Sequence, residues 1–136
     1  MEWIAAVVMA AGLTAGQAVT NPGVIEFDAS TDHDTIEQTV PILTSYIVEI
    51  YTPTGGSALT SVDIGKPTPV AGVITYTGLR AVYASLPPGT YVARVAASGP
   101  FGINRSDPSL PFDAAVTGGR APAAPGRAPI IRVSLP

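Results

Sequence analysis

Leu86-Pro87-Pro88-Gly89-Thr90-Tyr91-Val92-Ala93-Arg94-Val95 is a stop signal followed at once by a strand. Two prolines and a glycine end whatever precedes them. From Tyr91 the chain alternates, with Tyr91, Ala93 and Val95 on one side and Val92 and Arg94 on the other. That period of two marks a half-buried antiparallel strand. Upstream the period changes: Leu79, Val82, Tyr83 and Leu86 recur at i, i+3, i+4 and i+7. One or two helical turns near residues 79–86 fit this spacing, and a bent strand is the alternative.

Working outward, the same alternation returns in Leu43-Thr44-Ser45-Tyr46-Ile47-Val48-Glu49-Ile50-Tyr51, with Tyr46, Val48 and Ile50 on one face. Thr52-Pro53 and Gly55-Gly56 then supply turn chemistry, so residues 58–64 read as the hairpin partner. Residues 65–72 hold two prolines and cannot form a central strand. Shorter β-type runs lie at residues 23–28, 73–77 and 110–113. Six or seven short strands over about 95 residues, punctuated by Gly and Pro, predict an all-β fold, an antiparallel Greek-key sandwich of about seven strands. The expected core is Val24 or Ile25 with Phe27, then Tyr46, Val48, Ile50, Ile74 or Tyr76, Leu86, Tyr91, Ala93, Val95 and Phe112.

Composition narrows the function. The 136 residues suit one domain with a leader and a tail, not two full domains. With no cysteine, a disulfide scaffold, a thiolate zinc site and a cysteine nucleophile are all excluded. Fourteen Gly and fourteen Pro argue against a helical bundle. A single lysine leaves no basic footprint for nucleic acid. Residues 3–13 form an apolar run of 11, too short to span a bilayer and of the length of a signal-peptide core. Small residues Gly16 and Ala18 then fit a cleavage site after Ala18, although Glu2 stands where a basic residue is expected. Residues 1–18 are therefore read as a signal peptide lying outside the fold, the alternative being a buried apolar segment. Secretion, cell-surface display or a periplasmic location follows. The Ala/Pro/Gly richness fits a GC-rich bacterial coding sequence.

Residues 19–116 carry nine acids and four bases, a charge of −5. Residues 117–136 have the Gly, Ala and Pro composition of a linker, with Arg120, Arg127 and Arg132 and no acid. That linker ends in a lone strand, Ile130-Ile131-Arg132-Val133-Ser134. Because residues 19–22 are too short to form a first strand, one sheet edge is expected to be vacant. Ile130, Ile131, Arg132 and Val133 are the candidates to fill it, in cis or by self-association with a neighbouring copy.

The run from Leu86 to Val95 resembles the fibronectin type III signature, in which Leu and Pro-Gly-Thr precede a corner tyrosine at the head of the sixth strand. Ser45-Tyr46-Ile47-Val48-Glu49-Ile50-Tyr51 is similar to that family's third strand. Ser98-Gly99-Pro100-Phe101-Gly102 with Ser106 and Ser109 is similar to its last hairpin loop. The likeness covers residues 23–114. It departs where Phe27 stands in place of a core Trp, where Leu86 and Tyr91 are one residue closer than is common, and at the missing first strand. What the resemblance implies is a structural corner of Leu86, Gly89 and Tyr91, with the phenol bonded to backbone within residues 86–89. It also implies a non-catalytic spacer, adhesive or binding module without a cofactor.

Little in the sequence supports chemistry. Asp32-His33-Asp34, with Glu37 nearby, is the only ligand-type cluster, and a polar loop with local hydrogen bonds competes with a cation site. His33 is the only imidazole, and no serine sits in a glycine-flanked nucleophile elbow. An enzyme is not expected. Recognition is expected at a loop tip, with Phe101, Ile103, Asn104 and Arg105 as candidates toward a protein or glycan partner. Phe101 folded back over the core is the competing possibility, and Asn104-Arg105-Ser106 also fits a glycosylation acceptor.

Overall fold

Alternation along residues 45–52 decides where the two faces of the main sheet lie. A computed structural model describes residues 7–9, 19–115 and 123–126. Its strands are β1 (Val7–Met9), β2 (Val19–Thr20), β3 (Ile25–Asp28), β4 (Ile36–Glu37), β5 (Val40–Pro41), β6 (Ser45–Thr52), β7 (Gly55–Gly65) and β8 (Val73–Tyr76). Helix α1 (Leu79–Tyr83) follows, then β9 (Gly89–Gly99), β10 (Gly102–Arg105) and β11 (Phe112–Ala114). A three-stranded sheet runs β1-β3-β8, and a larger one runs β2-β11-β9-β6-β7 with β10 also on β9. β4 and β5 make a separate ribbon. Every pairing is antiparallel except β2 with β11.

The two sheets share one core. Ile25, Phe27 and Ile74 come from the smaller sheet, and Tyr46, Val48, Ile50, Ala93 and Val95 from the larger. Phe27 meets the Tyr46 ring edge-on, 5.3 Å between centroids. The choices left open resolve to Ile25 over Val24 and Ile74 over Tyr76, and Leu86 is only half-buried. At one end α1 buries Leu79, Val82 and Tyr83, as its i, i+3, i+4 spacing predicts. Phe112 lies there between Tyr83 and Tyr91, at 5.1 and 6.3 Å. The expected β6–β7 hairpin is present, and Gly55 and Gly56 take φ of +93° and +90°, backbone that other residues resist.

One expectation is corrected. The domain does not lack a first strand, and residues 1–18 do not all lie outside the fold. The backbone of β1 pairs with β3, Val7 opposite Phe27 and Met9 opposite Ile25, while β2 runs parallel to β11. Neither edge is vacant for want of a first strand. Contacts of two and three residues are too short to show a period, so the sequence pattern cannot announce them. Asn21 turns the chain out of β2 at φ +50°, a conformation asparagine tolerates, and its side-chain oxygen accepts the Ala115 N–H at 2.8 Å.

The last strand is also divided. Between β10 and β11, Ser106 and Ser109 donate their N–H groups to the carbonyls of Val95 and Ala93 at 2.9 and 2.8 Å. Their hydroxyls accept the Val95 and Ala93 N–H groups at 3.0 and 2.9 Å. Two serine hydroxyls thus stand where a partner strand would offer carbonyls.

Candidate functional site

β9 ends in a hairpin whose tip is Pro100-Phe101, and its neighbour in space is the long segment 29–44 that leads into β6. Close approach joins them: a Cβ on Gly99 would fall 1.8 Å from the Ile42 carbonyl oxygen. Only glycine fits there. The Thr44 N–H donates to the Ser98 carbonyl at 2.8 Å and the Thr44 hydroxyl to the same oxygen at 3.2 Å.

Segment 29–44 is pinned from beneath by Tyr46. Its hydroxyl accepts the Ser30 N–H at 3.1 Å and lies 2.7 Å from His33 Nδ1, with the His33 ring stacked on the phenol at 5.7 Å. Burial pushes the Tyr46 phenol above its ordinary range, and the charge of Asp34 adds to this against the Ser30 hydrogen bond. Above it the loop closes on itself. Ser30 Oγ accepts the Asp32 N–H at 3.1 Å, and Asp32 Oδ1 accepts the Thr35 hydroxyl at 3.2 Å. Asp32 and His33 are therefore spent on turn geometry and on Tyr46. Among the described residues no three His, Asp or Glu side chains converge as metal ligands.

Phe101 is 58% exposed and does not cap the core. Phe101, Gly102 and Asn104 form one wall of a cleft of about 190 Å³, and Ile42, Glu37 and Asp32 are among the residues that complete it. Ile36 and Val40 on the β4–β5 ribbon are exposed as well. An apolar tip with an acidic rim therefore forms one pole of the domain.

The four loop-tip candidates do not act together. Alternation along β10 sets Asn104 opposite Ala97 on the cleft side, and Ile103 and Arg105 opposite Ser98 and Ala96 on the other. Ile103 is 47% exposed there, and Arg105 is bound to Glu49. In the Asn104-Arg105-Ser106 triplet, Asn104 is exposed and Ser106 is buried. Glu49, Tyr51 and Arg94, which share that second face, escaped the sequence reading. Their only sequence signal was an acid and a tyrosine two residues apart on the face of β6 that the core does not use.

The structural corner takes the expected form. The buried Tyr91 hydroxyl donates to the Pro87 carbonyl, with half-buried Leu86 and exposed Gly89 flanking it. The strand candidates Ile130, Ile131, Arg132 and Val133 lie outside the described residues. No protein-family model matches the chain, and no curated protein matches it significantly.

Proposed function

We propose that this chain is a non-catalytic binding module of fibronectin type III type, secreted or displayed at a cell surface, with Phe101 at the centre of its recognition surface. The observation that carries this reading is the exposed Phe101 on a hairpin locked by Gly99 and Thr44 to a loop that Tyr46 holds from below. Recognition residues on loops positioned by a rigid scaffold are a general arrangement. The Tyr91–Pro87 corner and the division into β1-β3-β8 and β11-β9-β6-β7 support the family reading. The apolar tip, acidic cleft rim and absence of a convergent ligand set among the described residues suit a protein or glycan partner more than a reaction. Export rests on the apolar run at residues 3–13 and the small residues Gly16 and Ala18 alone, since the pairing of Val7–Met9 with β3 counts against a leader outside the fold. No described helix is long and apolar enough to cross a membrane.

The test is capture of surface proteins and glycans by the immobilised chain and by its Phe101→Ser variant. A partner retained by the parent and weakened at least about tenfold by Phe101→Ser, at equal melting temperature, supports the pole. Partners held equally by both move recognition elsewhere.

A second reading has its own observation. The outer edge of β7 opens with Gly55-Gly56-Ser57-Ala58-Leu59-Thr60-Ser61-Val62, eight residues without a charge or a proline to discourage pairing. Such an edge suits addition of the strand at residues 130–134, from the same chain or a neighbour, as an assembly protein would use it. Solution mass with and without residues 116–136 decides: monomers in both forms leave no strand exchange between copies.

A further inference from the structure

The face of the larger sheet turned away from the core carries a second cluster, independent of the Phe101 pole. Glu49 on β6 lies directly across from Arg94 on β9, and Arg105 on β10 faces the same way. Glu49 is only 5% exposed. Arg105 grips it with two bonds, Nε to Oε1 at 2.8 Å and Nη2 to Oε2 at 3.3 Å, and the Tyr51 hydroxyl donates to Oε1 at 2.8 Å. Burial, then the bond and charge of Glu49, push the Tyr51 phenol up, and the same carboxylate raises Arg105. The carboxylate thus accepts three bonds, two of them at Oε1.

Arg94 is different. Its guanidinium lies 5.6 Å over the Tyr51 ring and makes one long bond, Nη1 to the Ser106 carbonyl at 3.3 Å. It is half-buried, yet among the described residues the ion pair is Arg105 with Glu49, and Arg94 has none. A partly desolvated cation with donors to spare favours an anion. Both arginines open on a cleft of about 430 Å³, walled further by Tyr51 and by the short side chains from Gly55 to Ala58. Among the described residues no acid lines that cleft, although residues 19–115 carry nine acids against four bases. At Gly55 and Gly56 nothing stands within 4 Å of where a Cβ would be, so a ligand can approach this stretch closely, although the Gly55 carbonyl already accepts the Thr52 hydroxyl at 3.0 Å.

We propose that this cleft binds the carboxylate of an acidic sugar. The guanidinium fork of Arg94 pairs with the carboxylate, a planar match that lysine would not provide. Ser57 and the Gly55-Gly56 backbone meet the ring hydroxyls. The cluster of one acid and two arginines leaves one positive charge, which a monoanion neutralises. The volume falls in the range of small-ligand sites, and polar groups rather than large apolar ones surround it.

The experiment is an NMR titration of the full chain with D-glucuronate, and separately with D-glucose, acetate and sulfate. Glucuronate is expected to shift Gly55, Gly56, Ser57 and the Arg94 side chain with a Kd of about a millimolar. Glucose should leave them unmoved, and acetate and sulfate should bind at least roughly tenfold more weakly. Arg94→Gln should weaken glucuronate by at least roughly tenfold without moving the Phe101 resonances. Ser57→Glu, at an exposed position, introduces a carboxylate into the cleft and should do the same whether or not Arg94→Gln folds. The proposal is overturned if glucuronate moves none of those residues, if acetate or sulfate binds as tightly, or if Ser57→Glu binds glucuronate like the parent.

Discussion

Two tyrosines anchor the two ends of this domain, and they do so at very different distances along the chain. Tyr91 reaches back four residues to the Pro87 carbonyl, inside one turn. Tyr46 reaches sixteen residues to the Ser30 N–H and thirteen to His33. The Tyr91 end is closed: Phe112 is packed between Tyr83 and Tyr91, and the Tyr83 hydroxyl donates to the Pro22 carbonyl at 2.6 Å. The Tyr46 end is open, and an unsupported Phe101 stands above it. One end packs its aromatic rings together and the other leaves one in solvent. Burying a polar hydroxyl at each end is tolerable because each finds a partner.

Substitutions can break this contrast in graded fashion. Phe112→Ala removes the ring between Tyr83 and Tyr91 and should cost about 3–5 kcal/mol, read as a shift in the urea midpoint. Tyr46→Phe leaves the Ser30 N–H without its acceptor and should cost about 1–3 kcal/mol, with faster amide exchange confined to residues 30–44. An unchanged exchange pattern there would show that Tyr46 does not hold the loop. Tyr91→Phe should cost less, about 0.5–1.5 kcal/mol, because the Pro87 carbonyl sits at an exposed turn where water can replace the phenol. Phe101→Ser should change stability by about 0.5 kcal/mol or less, since the ring is mostly in solvent. A large loss there would mean that Phe101 supports the fold rather than displays itself.

A pH scan sharpens the same comparison. Tyr46, Tyr51 and Tyr83 each hold their proton more tightly in the fold than free tyrosine does. A group raised in the folded state contributes stability that is present below its unfolded pKa of about 10 and lost as pH rises through the folded value. The share of stability that these three phenols supply should thus stay level up to about pH 9 and fall above it. Tyr46→Phe should make that alkaline fall shallower, as followed by denaturant midpoints at successive pH values.

Legibility followed contact distance. The helix at Leu79, Val82 and Tyr83 is local, so a period was enough to find it. The corner at Leu86, Gly89 and Tyr91 is local too, and was expected from the resemblance of that run to the fibronectin type III signature. The faces of β6 and β9 were legible because residue type alternates along them, although Glu49, Tyr51, Val92 and Ala96 on the far face are buried as well, against the half-buried strand expected. The pairings of β1 with β3 and β2 with β11 were not, since two or three residues have no period and their partners lie far along the chain. The same holds for Arg105 on Glu49, separated by 56 residues. Asp32 and His33 looked like ligands because nothing in the sequence reveals the phenol beneath them.

The serines that divide the last strand have a consequence for change. Between β10 and β11 the chain is tied by two side-chain hydroxyls and two amide protons, and Asp107-Pro108 stands off the sheet between them. Proline is acceptable there because its missing N–H was never asked to pair. These ties give a change in the β9–β10 hairpin a place to be absorbed at Ser106 before it reaches Phe112. Variation is thereby confined to the tip between Gly99 and Arg105, whose ends are held by Ile42 and Glu49, while the register that seats the core aromatic is set separately.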